Sequence, residues 1–158
     1  LRAEKGYIIV GQESDGTVIP DDVGLAGMIG KTKPDFVGKR SLMRADMQRA
    51  DRKQLVGLLT VDPNVVLEEG AQVVADAGAP PPVSMLGHVT SAYRSATLGR
   101  SIALAMISAG RARKGERLTV AMPGGAPGRG PGGGPGGDIA VEVTEPVFFD
   151  REGTRLDG

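Results

Sequence analysis

Between Gln54 and Val143 the sequence carries a series of short apolar runs at close spacing, each bounded by Gly, Pro or Asp, with no long amphipathic helical pattern between them. The runs are Gln54–Val61, ended by Asp62-Pro63; Ala71–Ala75, after Glu69-Gly70; Met85–Thr90; Ser101–Ile107; Arg117–Met122; and Ile139–Val143, with Val147-Phe148-Phe149 as a last short segment. Without helical crossovers, consecutive strands of this length fold as an antiparallel barrel or sandwich.

The region before Arg52 has a different texture. Leu1-Arg2-Ala3-Glu4-Lys5 are helix formers and Gly6 supplies a stop, so this stretch reads as the last turn of a helix. Tyr7–Val10 is a short β-branched run closed by Gly11, and Asp15-Gly16 is a turn. Pro20-Asp21-Asp22 offers a helix start with acids in the first turn, predicting a helix to about Ile29. A second helix is expected over Val37–Met47, with Leu42, Met43 and Met47 on one face. The charged stretch Arg49–Lys53 marks the boundary, giving expected domains of residues 1–50 and 51–158. Gly124–Gly137 holds nine glycines and three prolines and is read as a disordered insertion at a hairpin tip.

Lys+Arg and Asp+Glu both total 19, so no net field points to nucleic acid or an anionic membrane. The absence of cysteine excludes thiolate catalysis, disulfides and Cys-ligated zinc, and fits a reducing, cytoplasmic setting. No apolar run reaches the roughly 20 residues that span a bilayer. The chain begins with Leu rather than Met, which is read as the mark of an excised or processed piece.

Two glycine strings mislead. Gly128–Gly133 spells G-x-G-x-x-G, but glycine and proline follow where the dinucleotide fingerprint requires a helix. Gly30-Lys31-Thr32 has Leu25 where a phosphate loop needs glycine, and Pro34 obstructs the helix that should follow. His88, the lone histidine, has no inferable serine–acid partners and reads as structural or exposed. Thr90, Ser91 and Ser95 read as turn residues, and Arg111-Ala112-Arg113-Lys114 as a solvated turn.

Leu1–Tyr7, Gly11, Thr17–Pro20, Gly24-Leu25 and Lys33–Leu42 together resemble the folate-binding region shared by the glycine-cleavage T-protein and the sarcosine- and dimethylglycine-oxidizing enzymes. Leu55–Leu58, Glu69-Gly70, Gly87–Ser91, Ser95–Ala105 and Pro146–Phe149 continue in that family's order. Glu4–Glu13, Lys33–Leu42 and Phe148–Gly158 are most similar to the C-terminal part of heterotetrameric sarcosine oxidase alpha subunits.

The resemblance implies a mainly β fold: a roughly six-stranded antiparallel Greek-key barrel preceded by the α+β tail of a folate-binding, aminomethyltransferase-like domain. It implies an oxidoreductase parent that converts sarcosine to glycine with hydrogen peroxide, tetrahydrofolate accepting the one-carbon unit as 5,10-methylenetetrahydrofolate. Glu4 falls on the family's pterin-holding glutamate. Lys33, with Lys31 as the neighbouring candidate, falls where the family has a folate-contacting arginine; lysine keeps the charge but loses the planar fork. No catalytic residue is expected in this chain, which alone is expected to be inactive. FAD, FMN and NAD are expected outside it, and the other oxidase subunits are the expected partners. The alternatives are a folate-dependent aminomethyltransferase of the glycine cleavage system, or a barrel acting only as a subunit-docking module.

Overall fold

The computed structural model of the chain describes residues 1–30, 32–80, 82–122 and 137–155. Among these, six strands form one closed antiparallel barrel: β1 (Lys53–Thr60), β2 (Gln72–Val74), β3 (Met85–Ser95), β4 (Arg100–Ser108), β5 (Arg117–Ala121) and β6 (Asp138–Thr144). Their order around the barrel is β1-β4-β3-β2-β5-β6, closing from β6 back to β1. Strands β2, β3 and β4 follow as neighbours while β1 lies beside β4, which is the Greek-key connection that the resemblance implies. The insertion expected over 124–137 lies outside the described residues except for Gly137; it joins β5 to β6, which pair from Ala121↔Asp138 to Arg117↔Glu142.

The barrel interior is filled by Val56, Leu58, Val73, Val89, Ala103, Ala105, Ile107, Leu118, Val120, Val141 and Val143, and Leu67, Ala71 and Met122 join the same cluster. Alternation along each strand sends the next residues outward. On β1 and β4 those outward residues are also apolar, and Leu55, Leu104 and Met106 pack with Val23, Ile8, Val18 and Phe148 in a second cluster outside the barrel. Residues from the opening turn to Val23 and the C-terminal stretch therefore cover one side of the barrel. β1 pairs with β6 only from Gly57 onward; ahead of it the Leu55 amide donates to the Asp22 carbonyl at 2.7 Å.

The covering segment contains less regular structure than its sequence predicts. The opening turn is present as a 3-10 turn, Ala3–Lys5, ended by Gly6 at φ 69°. Tyr7–Val10 is not a strand: Val10 makes one isolated bridge to Ser14, and the Ile9 carbonyl accepts from the Gln12 and Glu13 amides instead. The helix expected after Pro20 reduces to turns and a 3-10 turn at Ala26–Met28. That expected over Val37–Met47 splits into α1 (Lys39–Leu42) and a 3-10 turn at Ala45–Gln48. Segments this short are not stabilised by their own backbone bonds, and in the stretch up to Asp22 side-chain anchors at Glu4, Glu13 and Asp22 set the path. Val147–Phe149 is likewise not a strand; the Phe148 and Phe149 amides donate to the Glu4 carbonyl at 2.9 and 3.0 Å.

β3 runs five residues further than the apolar pattern predicts, through Ser91–Ser95. Its register shifts between Val89 and Ser91, so that Val89 pairs with inward Ala105 and Ser91 with outward Leu104. This bulge at Thr90 changes which face the later residues occupy. Ser91, Tyr93 and Ser95 thereby leave the barrel interior and face the covering segment.

Gly87 on β3 sits so close to β4 that a Cβ there would overlap the Met106 carbonyl oxygen, whereas Gly16 is in open space. Gly87→Ala is expected to lower unfolding free energy by about 2 kcal/mol or more, and Gly16→Ala to change it by less than about 0.5 kcal/mol. Urea denaturation of the two variants checks the contrast.

Candidate functional site

Two glutamates of the covering segment are buried against β3. Glu4, on the opening turn, is 6% exposed, and its Oε1 accepts from the Ser95 hydroxyl, which in turn accepts from the Leu98 amide at 3.0 Å. Glu4 Oε2 lies 3.5 Å from the Leu1 amine. The Ser95 hydrogen bond outweighs burial and holds the Glu4 carboxyl below its ordinary pKa, so it is ionised at neutral pH. A cavity of about 280 Å³ opens beside it, lined by Leu1, Arg2, Glu4, Tyr93, Arg94 and Ile102 among others.

Glu13 is completely buried. Its Oε2 accepts from the Ile9 amide at 2.7 Å and from Arg2 Nη1 at 3.4 Å, and its Oε1 accepts from the Ser91 hydroxyl at 2.5 Å. Burial pushes this carboxyl upward, but the Ser91, Ile9 and Thr90 hydrogen bonds and the Arg2 charge together bring it below its ordinary value. Arg2 ties Glu13 to β3: Nη2 donates to Ser91 Oγ at 2.7 Å, Nη1 to the Tyr7 carbonyl at 2.6 Å, and the guanidinium lies 5.7 Å from the Tyr93 ring centre.

Further ion pairs fasten the same segment. Asp22, 3% exposed, accepts from Arg52 through both oxygens at 2.6 to 3.2 Å. Lys5 Nζ donates to the Asp150 carboxylate and carbonyl, each at 2.6 Å, tying the opening turn to the C-terminal stretch. The basic turn at Arg111–Lys114 is exposed but paired, Arg111 with Asp21, Arg113 with Glu116 and Lys114 with Glu145.

Of the residues singled out in the sequence, Glu4 is thus placed at a cavity. Lys33 is exposed and is not among that cavity's lining residues; its stem runs over Gly30, and its carbonyl accepts from Lys39 Nζ. Lys31 lies outside the described residues. His88 lies half-buried on β3 in a separate cavity of about 360 Å³ with Asp15, Lys53 and Met106, and burial, then Lys53, lowers its pKa. The reading of Thr90, Ser91 and Ser95 as turn residues is corrected: all three are buried within β3, because the covering segment supplies acceptors for Ser91 and Ser95. Glu13, Arg2 and Asp22 escaped the sequence reading, since nothing local distinguishes a buried acid from a solvated one; the polar Ser91–Ser95 continuation of β3 was the available signal. Among the described residues no group of three or more acids or histidines could hold a metal, and no helix is long and apolar enough to cross a membrane.

Residues 53–129 match the family model for the glycine cleavage T-protein C-terminal barrel domain. The chain is 49% identical over its whole length to the sarcosine oxidase subunit alpha of Corynebacterium sp. (strain U-96), and 36% identical over 99% of its length to that of Rhizobium meliloti (strain 1021). It spans 15% of the length of each. It is also 35% identical, over 78% of its length, to the aminomethyltransferase of Thermotoga petrophila (strain ATCC BAA-488 / DSM 13995 / JCM 10881 / RKU-1), of which it spans 31%. The fold matches the crystal structure of glycine cleavage system aminomethyltransferase T from Bartonella henselae with a TM-score of 0.73 at 19% identity, over 96% of this chain and 37% of that one.

Because the Glu13 carboxyl is held below its ordinary value of 4.5 in the fold, the unfolded chain takes up its proton first as pH falls. Its stabilising contribution is therefore complete above about pH 4.5 and is lost as pH drops through the native value. Thermal melts from pH 7 to pH 3 are expected to show a steeper acid loss for the native chain than for Glu13→Gln, with Glu13→Gln the less stable at pH 7.

Proposed function

Residues 53–129 match the glycine cleavage T-protein C-terminal barrel model, and from this we propose that Glu4 and the cavity beside it form one wall of a tetrahydrofolate site in a sarcosine-oxidizing enzyme. The observation that carries this reading is the Glu4 carboxylate: buried, ionised through Ser95, and bordering a cavity with one aromatic wall. A carboxylate offers paired acceptor oxygens, and the edge of a pterin offers an adjacent ring N–H and amino group as donors. Tyr93 and Ile102 provide apolar surface for a flat ring system. These residues fit the pterin end of the ligand. A cavity of about 280 Å³ is below the usual range for a whole small-molecule site, about 300 to 1,000 Å³, which agrees with a single wall completed by further protein.

In this reading residues 1–50 are the tail of the folate-binding domain and residues 51–158 the barrel domain that backs it. Glu4 binds and orients; it transfers no proton. Lys33, which lies outside the lining of the Glu4 cavity, and Lys31 are the candidates for a positive charge toward another part of the ligand, and lysine lacks the bidentate geometry of arginine. When bound, tetrahydrofolate accepts the one-carbon unit set free as sarcosine becomes glycine. The oxidation belongs to FAD, FMN and NAD sites outside this chain and to the other oxidase subunits, in the cytoplasm. The aminomethyltransferase reading is supported by the Thermotoga similarity, which covers less of the chain at lower identity than the Corynebacterium one.

In the complete protein, Glu4→Gln is expected to weaken tetrahydrofolate binding by about tenfold or more, the scale of a lost charge-assisted hydrogen bond of about 1.5 to 3 kcal/mol. An unchanged affinity in a fluorescence titration removes Glu4 from the site. The 158-residue chain alone is expected to be colourless and to form no peroxide from sarcosine; a flavin spectrum or peroxide would place oxidase chemistry within it.

A further inference from the structure

The bulge at Thr90 turns Ser91 and Ser95 of β3 toward the covering segment, and each hydroxyl donates to a buried glutamate of that segment: Ser91 to Glu13 and Ser95 to Glu4. The two serines lie four residues apart on one strand face, with Tyr93 between them in the same cavity wall as Glu4. Arg2 spans the gap, reaching Ser91, Glu13 and the Tyr93 ring from the residue two before Glu4.

We propose that Ser95 and Ser91 are positioning residues, a two-point rack on the barrel wall that fixes the opening turn and aims the Glu4 carboxylate along the cavity it borders. The value of this to ligand binding rests on Glu4 being the pterin contact; the rack itself does not. Each point is anchored from behind. Ser95 Oγ accepts the Leu98 amide of the β3–β4 turn, which commits its proton to Glu4. Ser91 Oγ accepts from Arg2, which commits its proton to Glu13. A serine hydroxyl held by one accepted bond and giving its single proton to a carboxylate oxygen favours both one position and the ionised form of that acid. The other ionisable side chains around Glu4 are Arg2 and Lys5 on its own turn, Tyr93 and Arg94 on β3, and Asp150 of the C-terminal stretch; β4 presents apolar Ile102. Most of these are positive, and the Ser95 hydrogen bond is nevertheless the foremost influence on Glu4.

The test titrates the Glu4 carboxyl carbon by NMR in the full chain carrying carbon-13 glutamate, the signal being identified by its loss in Glu4→Gln. Ser95→Ala is expected to move the midpoint upward and Ser95→Thr, which keeps a hydroxyl, to bring it back. A midpoint unmoved in Ser95→Ala overturns the proposal. If Ser95→Ala does not fold, Ser95→Cys is the same size with a poor donor, and the same two outcomes apply. In the complete protein, the acid limb of tetrahydrofolate affinity against pH should shift upward in Ser95→Ala, which a purely structural serine would not cause. If Glu4→Gln leaves that affinity unchanged, the ligand reading falls, and the carbon titration still decides whether the barrel sets the Glu4 carboxylate.

Discussion

Strands β1 and β4 are apolar on both faces, and a closed barrel has an interior for only one of them. Val56, Leu58, Ala103, Ala105 and Ile107 fill that interior, leaving Leu55, Leu104 and Met106 pointing outward. Burying side chains of this size is worth about 1.5 to 3 kcal/mol each, far more than exposed ion pairs at about 0 to 1 kcal/mol. The covering segment, with Ile8, Val18, Val23 and Phe148, is held to the barrel chiefly for this reason. Its lack of regular structure follows, since its path conforms to the barrel wall rather than to its own backbone bonding.

Hydrophobic cover alone leaves the register of an irregular segment loose, and the buried acids fix it. Glu4, Glu13 and Asp22 reach the barrel or its edge at three places and meet Ser95, Ser91 and Arg52. A buried carboxylate without donors would take up a proton or expel the segment; each of these has donors placed for it. Glu13 has three, from Ile9, Arg2 and Ser91, so one interior acid joins the segment's own turn to β3. The C-terminal stretch adds a further tie, with Lys5 on Asp150 and the Phe148 and Phe149 amides on the Glu4 carbonyl. The opening turn is thus held from β3 on one side and from the chain's end on the other, and its carboxylate is fixed at a cavity edge. That is the arrangement a recognition group needs, since fixed acceptors select a ligand that mobile ones would not.

Strand positions were legible in the sequence because Gln54–Val61, Ser101–Ile107 and Arg117–Met122 are apolar runs between turn residues. Glu4 was legible only through resemblance: by itself it is a glutamate at a turn. The helix expected after Pro20 failed because propensity competes poorly with anchoring; Asp22 is drawn onto Arg52 and the Leu55 amide bonds to its carbonyl. Ser91 and Ser95 were misread as turn residues because a strand with hydroxyls on one face looks like a loop until its acceptors, some 80 to 90 residues away in sequence, are known.

The sequence by itself determined that this chain makes an antiparallel β fold, barrel or sandwich, because strand-length apolar runs separated by Gly, Pro and Asp leave few other ways to bury their surface. Only the tertiary structure decided which acids are buried, which face of β3 meets them and whether Glu4 borders a cavity. Those depend on one extra residue at the Thr90 bulge and on contacts between the two ends of the chain, and no local pattern encodes the register of one segment against another.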